Sequence, residues 1–205
     1  MQDFAGTRPP NPDGESPEGQ GQGMGAPWAA AEAVTAPLPQ PAVERLLVAL
    51  RAGNLNGGAL FARFTLGGPT AELFHMSERT PERRSFERLL TLPGVRSAPP
   101  ELRLGSALDT DPEFEAWSCP KLERDIANTL LAPAYHTTVV TPEEASVLSA
   151  DFRRAFVGED CAGVRVFRSR EPWCAWFLDA GFDRSWLALD ERVRVMSLLC
   201  STDSD

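Results

Sequence analysis

Residues 164–199 read VRVFRSREPWCAWFLDAGFDRSWLALDERVRVMSLL. Four runs within this stretch, 164–169, 173–180, 185–189 and 193–199, are rich in β-branched, aromatic and aliphatic residues. Glu171-Pro172, Gly181 and Asp190-Glu191 separate them. Short apolar runs joined by turn residues predict an antiparallel meander of four strands. In the 173–180 run, alternation sets Trp173, Ala175, Phe177 and Asp179 on one side and Cys174, Trp176, Leu178 and Ala180 on the other. Both sides are largely apolar. That is the pattern of a central strand covered on both faces, or of one whose outer face meets a partner, since Trp is a favoured interface anchor.

Upstream, Pro41 opens a helix in which Val43, Leu46, Leu47 and Leu50 recur at helical spacing, with Gly53 as its stop. A strand over 59–66 and a return strand over 70–76, turned at Gly67-Gly68-Pro69, predict a hairpin. Leu60, Ala62, Phe64 and Leu66 share one face of the first strand, and Phe61, Arg63 and Thr65 the other. Thr80-Pro81 begins a second helix carrying Phe86, Leu89 and Leu90, ended by Pro93-Gly94. A short strand is expected at 102–104 and a short helix from Asp111-Pro112 to Trp117. Pro120 opens a helix with Leu122, Ile126 and Leu130 on one side. Thr141-Pro142-Glu143-Glu144 has capping-box spacing, and the helix it starts runs through Leu148, Phe152 and Phe156 to Gly158. The fold class is α+β: helices packed on one face of an antiparallel sheet that ends in the meander.

Residues 1–40 are rich in Pro and Gly and include the alternating run Gly19-Gln20-Gly21-Gln22-Gly23. Such a segment buries too little apolar surface to offset its ordering entropy. It is expected to be a disordered arm, with 41–205 as a single domain. With 42% hydrophobic residues and 5 Trp in the chain, four of the Trp within 41–205, that domain has material for a real core. No apolar run is long enough to span a bilayer and no export signal is visible, so a cytoplasmic protein without membrane contact is expected. The net charge of -9 argues against nucleic acid, whose phosphates call for a basic face. Lys121 is the only lysine among 20 basic residues and Ile126 the only isoleucine, the imprint of GC-rich codons and of a bacterial source. The four cysteines, at 119, 161, 174 and 200, lack metal-ligand spacing and are expected to be free thiols in a reducing compartment.

Candidate chemistry is sparse. Cys119 with His136, or Cys174 with His75, are the available thiol–imidazole pairs. Asp109, Asp111, Glu113 and Glu115 cluster like calcium ligands but lack the EF-hand spacing, and Asp111 is equally a helix cap. No phosphate-binding loop, nucleophile elbow or zinc-protease motif is present. No cofactor and no metal are expected. Asp179 and Asp183 lie near several arginines of the C-terminal stretch, the raw material for a dispersed hydrolase or transferase site. The candidate binding residues are therefore Trp173, Trp176, Asp179, Asp183 and Trp186. The favoured expectation is an acidic protein that binds another protein, in the manner of an immunity protein or antitoxin. A dispersed Asp/Arg enzyme or a structural adaptor are the alternatives.

Overall fold

The computed structural model describes residues 30–38, 41–68, 83–132, 139–179 and 181–204. Among the described residues, six strands form one antiparallel sheet: β1 (Glu32–Thr35), β2 (Gly58–Gly67), β3 (Glu115–Trp117), β4 (Val164–Ser169), β5 (Arg184–Asp190) and β6 (Val195–Thr202). Their spatial order is β1-β2-β6-β5-β4-β3. The helices are α1 (Ala42–Gly53), α2 (Arg83–Leu90), α3 (Pro93–Ser97), α4 (Cys119–Leu131) and α5 (Pro142–Val157). This is the expected α+β class.

The central strands explain why the sheet is stable. In β5 and β6 nearly every position is buried, which requires cover on both faces. On one face, Leu60, Phe64, Leu187, Leu198 and Met196 meet α2, α3 and the segment around Trp173 and Phe177. On the other, Phe61, Val166, Trp186 and Leu199 meet the apolar stripes of α1, α4 and α5. The expectation of helices on a single face is corrected accordingly. The alternation foreseen in β2 is present, with Leu60, Ala62, Phe64 and Leu66 in the first core and Phe61 in the second.

Local signals were obeyed where they were strong. Thr141 and Glu144 form the reciprocal capping box at the start of α5. The Thr141 backbone N–H (2.8 Å) and hydroxyl (2.9 Å) both donate to Glu144 Oε2 and hold its carboxyl below the ordinary pKa. Gly158 ends the helix at φ 85°, a conformation that costs glycine little.

Several expectations are corrected. Glu32–Thr35, inside the segment read as an arm, is strand β1, paired antiparallel to β2 with Ala33 buried; residues 1–29 lie outside the described residues. At four residues, Glu-Ala-Val-Thr, it is too short to show a period of its own, and the β2 edge supplies the hydrogen bonds. The predicted return strand at 70–76 lies outside the described residues, and β2 pairs instead with β1 and β6. Pro93 begins α3 rather than merely ending α2, as the first helical position permits. Pro100–Leu102 is a 3-10 turn, not a strand. Residues 115–117 are strand, not helix, because β4 offers an edge there.

The meander has three strands, β4, β5 and β6. Residues 173–179 form a turn-rich crossing between β4 and β5 rather than a fourth strand. Its backbone bonds are local: Trp173 N–H donates to Glu171 O (3.0 Å) and Phe177 N–H to Cys174 O (3.1 Å). Trp173 and Phe177 thereby stand one turn apart and face the same core, their rings 5.2 Å apart at 62°. A short apolar run buries equally well as a strand or as a compact turn, so periodicity alone does not separate the two.

Candidate functional site

The five residues singled out from the sequence separate into structural and exposed groups. Trp173 is fully buried, and its indole N–H donates to Ser185 Oγ at 2.8 Å. Asp183 is 1% exposed. It accepts from the Thr202 hydroxyl (2.5 Å) and from Leu178 N–H (3.4 Å), which ties the crossing segment to the end of β6. Trp186 is buried on the opposite face of the sheet. These three side chains are committed to the fold.

Trp176 and Asp179 are different. Asp179 is exposed, with φ 52°. Trp176 is half-buried, edge-on to Phe177 at 5.1 Å, and lines an open groove of about 520 Å³ with Pro100, Glu101, Arg103 and Ala175. Leu178 beside it is 43% exposed. The groove exists because the Trp173–Phe177 turn is anchored from below by two buried rings, which leaves the ring between them at the surface. Arg103, at φ 48°, closes the 3-10 turn on its far side.

A charged cluster that the sequence reading had not assembled lies on the α4 side of the sheet. Asp125, from α4, reaches down to β4 and β5. Its Oδ2 accepts from Trp186 Nε1 (3.0 Å) and from Arg168 Nε (3.3 Å). Arg168 is only 5% exposed, and its guanidinium lies 5.3 Å from the centre of the Trp117 ring. Burial pulls Arg168 below its ordinary pKa; Asp125 opposes the shift, and the charges of Arg170 and Arg184 add to it. Arg184 is lowered for the same first reason, burial, with Asp125 again opposing and Arg170 again adding to it. The arginines of β4 and β5 were noted in the sequence, but their carboxylate partner sits 43 residues away from Arg168 on a helix. Only helical spacing relative to Leu122 and Ile126, which places Asp125 toward the sheet, carried any signal.

A third feature lies between α4 and α5, a groove of about 590 Å³ lined by Glu123, Arg124, Ser149, Arg153 and Asp160. At its rim Cys119 and Cys161 form a disulfide. The expectation of four free thiols is corrected: α4 and the α5–β4 loop bring these two together, whereas Cys174 and Cys200 are buried free thiols. Burial pushes Cys174 up to about 11 and Cys200 well above the ordinary thiol value, the reverse of an activated nucleophile. Both histidines lie outside the described residues. Asp111 Oδ1 accepts from Glu113 N–H (3.0 Å) in a tight turn, and Glu115 lies on β3 opposite Arg168. Among the described residues, no three His, Cys, Asp or Glu side chains converge as metal ligands. No helix among the described residues is long and apolar enough to cross a membrane. Compared with known protein families and with curated proteins, the chain matches none.

Proposed function

We propose that this protein acts by binding another protein through the groove at Trp176. The observation that carries the reading is that Trp176 alone, among the three C-terminal tryptophans, offers its ring to an open groove while its neighbours Trp173 and Phe177 hold the turn rigid. A preorganised aromatic with Leu178 beside it and Glu101 and Arg103 at the rim has the composition of an interface hot spot with a polar surround. The net charge of -9 favours a partner with a basic surface, drawn in by electrostatic steering. Neutralising a basic target, as an immunity protein or antitoxin does, is the concrete form of this role. We take the compartment to be the cytoplasm of a bacterium and the ligand to be protein rather than nucleic acid. The catalytic alternative draws less support, because Asp183 is occupied by Thr202 and Leu178 and stands on the opposite face of the sheet from Asp125.

The test begins with the partner that co-purifies from the host, followed by titration of the purified pair. Trp176→Ala should fold and weaken binding by about 2 kcal/mol or more. Phe177→Ala, which empties a core position, should cost about 3–5 kcal/mol of stability. A Trp176→Ala protein that binds with wild-type affinity would remove the proposal.

A further inference from the structure

We propose that Arg168, Arg170 and Arg184 form a binding site for a small oxyanion, a phosphate or carboxylate group, at the end of the β4–β5 ladder beneath α4.

The register places these residues together. Arg168 stands opposite Trp186, and Ser169 opposite Ser185. One step further, Arg170 comes opposite Arg184. Alternation then puts Arg168, Arg170, Arg184 and Trp186 on one face, the face covered by α4. Ser201, opposite Arg184 on β6, shares that face and is buried.

The charges on this face do not balance. Asp125 is the carboxylate that reaches the cluster, and its Oδ2 already accepts from both Arg168 and Trp186. Asp183 stands on the other face and is held by Thr202 and Leu178. Glu115, opposite Arg168 on β3, is exposed and makes no ion pair with it. Among the described residues, neither Arg170 nor Arg184 has an ion-pair partner, though the chain as a whole is acidic. Like charges directly across a ladder destabilise a sheet. Here Arg170 follows the last residue of β4 and Arg184 opens β5, so two guanidiniums meet just past the end of the ladder with a third buried beside them.

A second observation points inward. Arg168 Nη2 is buried with no hydrogen-bond partner. Although Arg168 is paired with Asp125 through Nε, a buried donor on a charged group with no acceptor of its own carries its desolvation penalty uncompensated. An oxyanion between the three forks would accept from it, neutralise the local excess and use the planar geometry that suits arginine to phosphate and carboxylate. The site lies on the opposite face of the sheet from the Trp176 groove and stands independently of the binding role proposed there.

The experiment is calorimetric titration of the full chain with inorganic phosphate and, separately, with succinate, paired with thermal melts against chloride at matched ionic strength. Wild type should bind at least one of the two, and the tighter anion identifies the group recognised. Arg170→Gln, at an exposed position, and Arg184→Gln, at a half-buried one, should each weaken binding at least about tenfold. In chloride, Arg170→Gln should melt no lower than wild type, because it relieves like-charge repulsion; a merely structural arginine would lower the melt. Arg154→Gln, on the outer surface of α5, should bind as wild type does. Absence of binding to both anions, or binding undiminished in both cluster variants, would overturn the proposal.

Discussion

Removing the Asp125 carboxylate tests whether the α4 side of the sheet is held by a buried ion pair. Arg168 is 5% exposed and the Asp125 side chain 13%. In Asp125→Ala the guanidinium stays buried without a counter-charge, a change that costs about 3–5 kcal/mol when one member of a buried pair is deleted. The same oxygen serves Trp186 Nε1, whose buried donor would add about 1–3 kcal/mol if counted alone. The two losses share one acceptor and do not add, so a total of about 4 kcal/mol is expected. Asp125→Asn keeps an acceptor and loses only the charge, and should cost about 2 kcal/mol. Arg168→Met leaves Asp125 bonded to Trp186 and near solvent, and should cost less than Asp125→Ala. In the double variant Asp125→Leu/Arg168→Met no buried charge remains, and most of the loss should be recovered. Urea unfolding followed by circular dichroism of wild type, Asp125→Leu, Arg168→Met and Asp125→Leu/Arg168→Met gives the four stabilities of a closed cycle and, from them, the coupling energy. A coupling of about 2 kcal/mol or more is expected. If Asp125→Ala is no worse than the double variant, the pair is effectively solvated and the reasoning fails.

Two further predictions concern the cysteines. The Cys119–Cys161 bond closes a loop with a sequence separation of 42, so its loss should lower stability by about 4 kcal/mol on the chain-entropy estimate; Cys119→Ser/Cys161→Ser should unfold at distinctly lower urea than the oxidised protein, and identical curves for the two would contradict the bridge. Cys174 has a folded-state pKa raised from 9.0 to about 11, so its contribution to stability is complete below pH 9 and disappears as pH climbs toward 11. A loss on the order of 2–3 kcal/mol across that window is expected in excess of that shown by Cys174→Ala, in which the buried Cys200 thiol still contributes its own decline; melts at a series of pH values read the difference directly, and a wild-type profile no steeper than that of Cys174→Ala would refute the assignment.

Much of the fold was legible in local chemistry. The stripe Val43, Leu46, Leu47 and Leu50 specified α1, and Leu122, Ile126 and Leu130 specified α4, because 3.6-residue spacing builds one apolar side whatever the rest of the chain does. Thr141 and Glu144 marked the start of α5 because both partners of a capping box lie within one turn. Alternation over β2 divided its side chains between the two cores as they are divided in the structure. Of the site, the sequence grouped Trp176 with Trp173, Asp179, Asp183 and Trp186 and left their surroundings open between core and interface; Trp173, Trp186 and Asp183 are buried.

The rest depended on contacts between distant segments. Glu32–Thr35 is a strand because the edge of β2 pairs with it, and Glu115–Trp117 because β4 does; neither has a period of its own long enough to declare it. The 173–179 run became a turn because the β4–β5 pairing runs Ser169 against Ser185, so the residues between must cross back over the sheet, and burying Trp173 and Phe177 on one side accomplishes that. Asp125 met Arg168 and Trp186, and Cys119 met Cys161, only when α4 packed against the sheet and α5. Periodicity and caps are properties of a few consecutive residues and are therefore written in the sequence. Which edge a strand finds, which carboxylate reaches a buried arginine and which tryptophan is left at the surface depend on where the other elements come to rest, and the tertiary structure alone decides them.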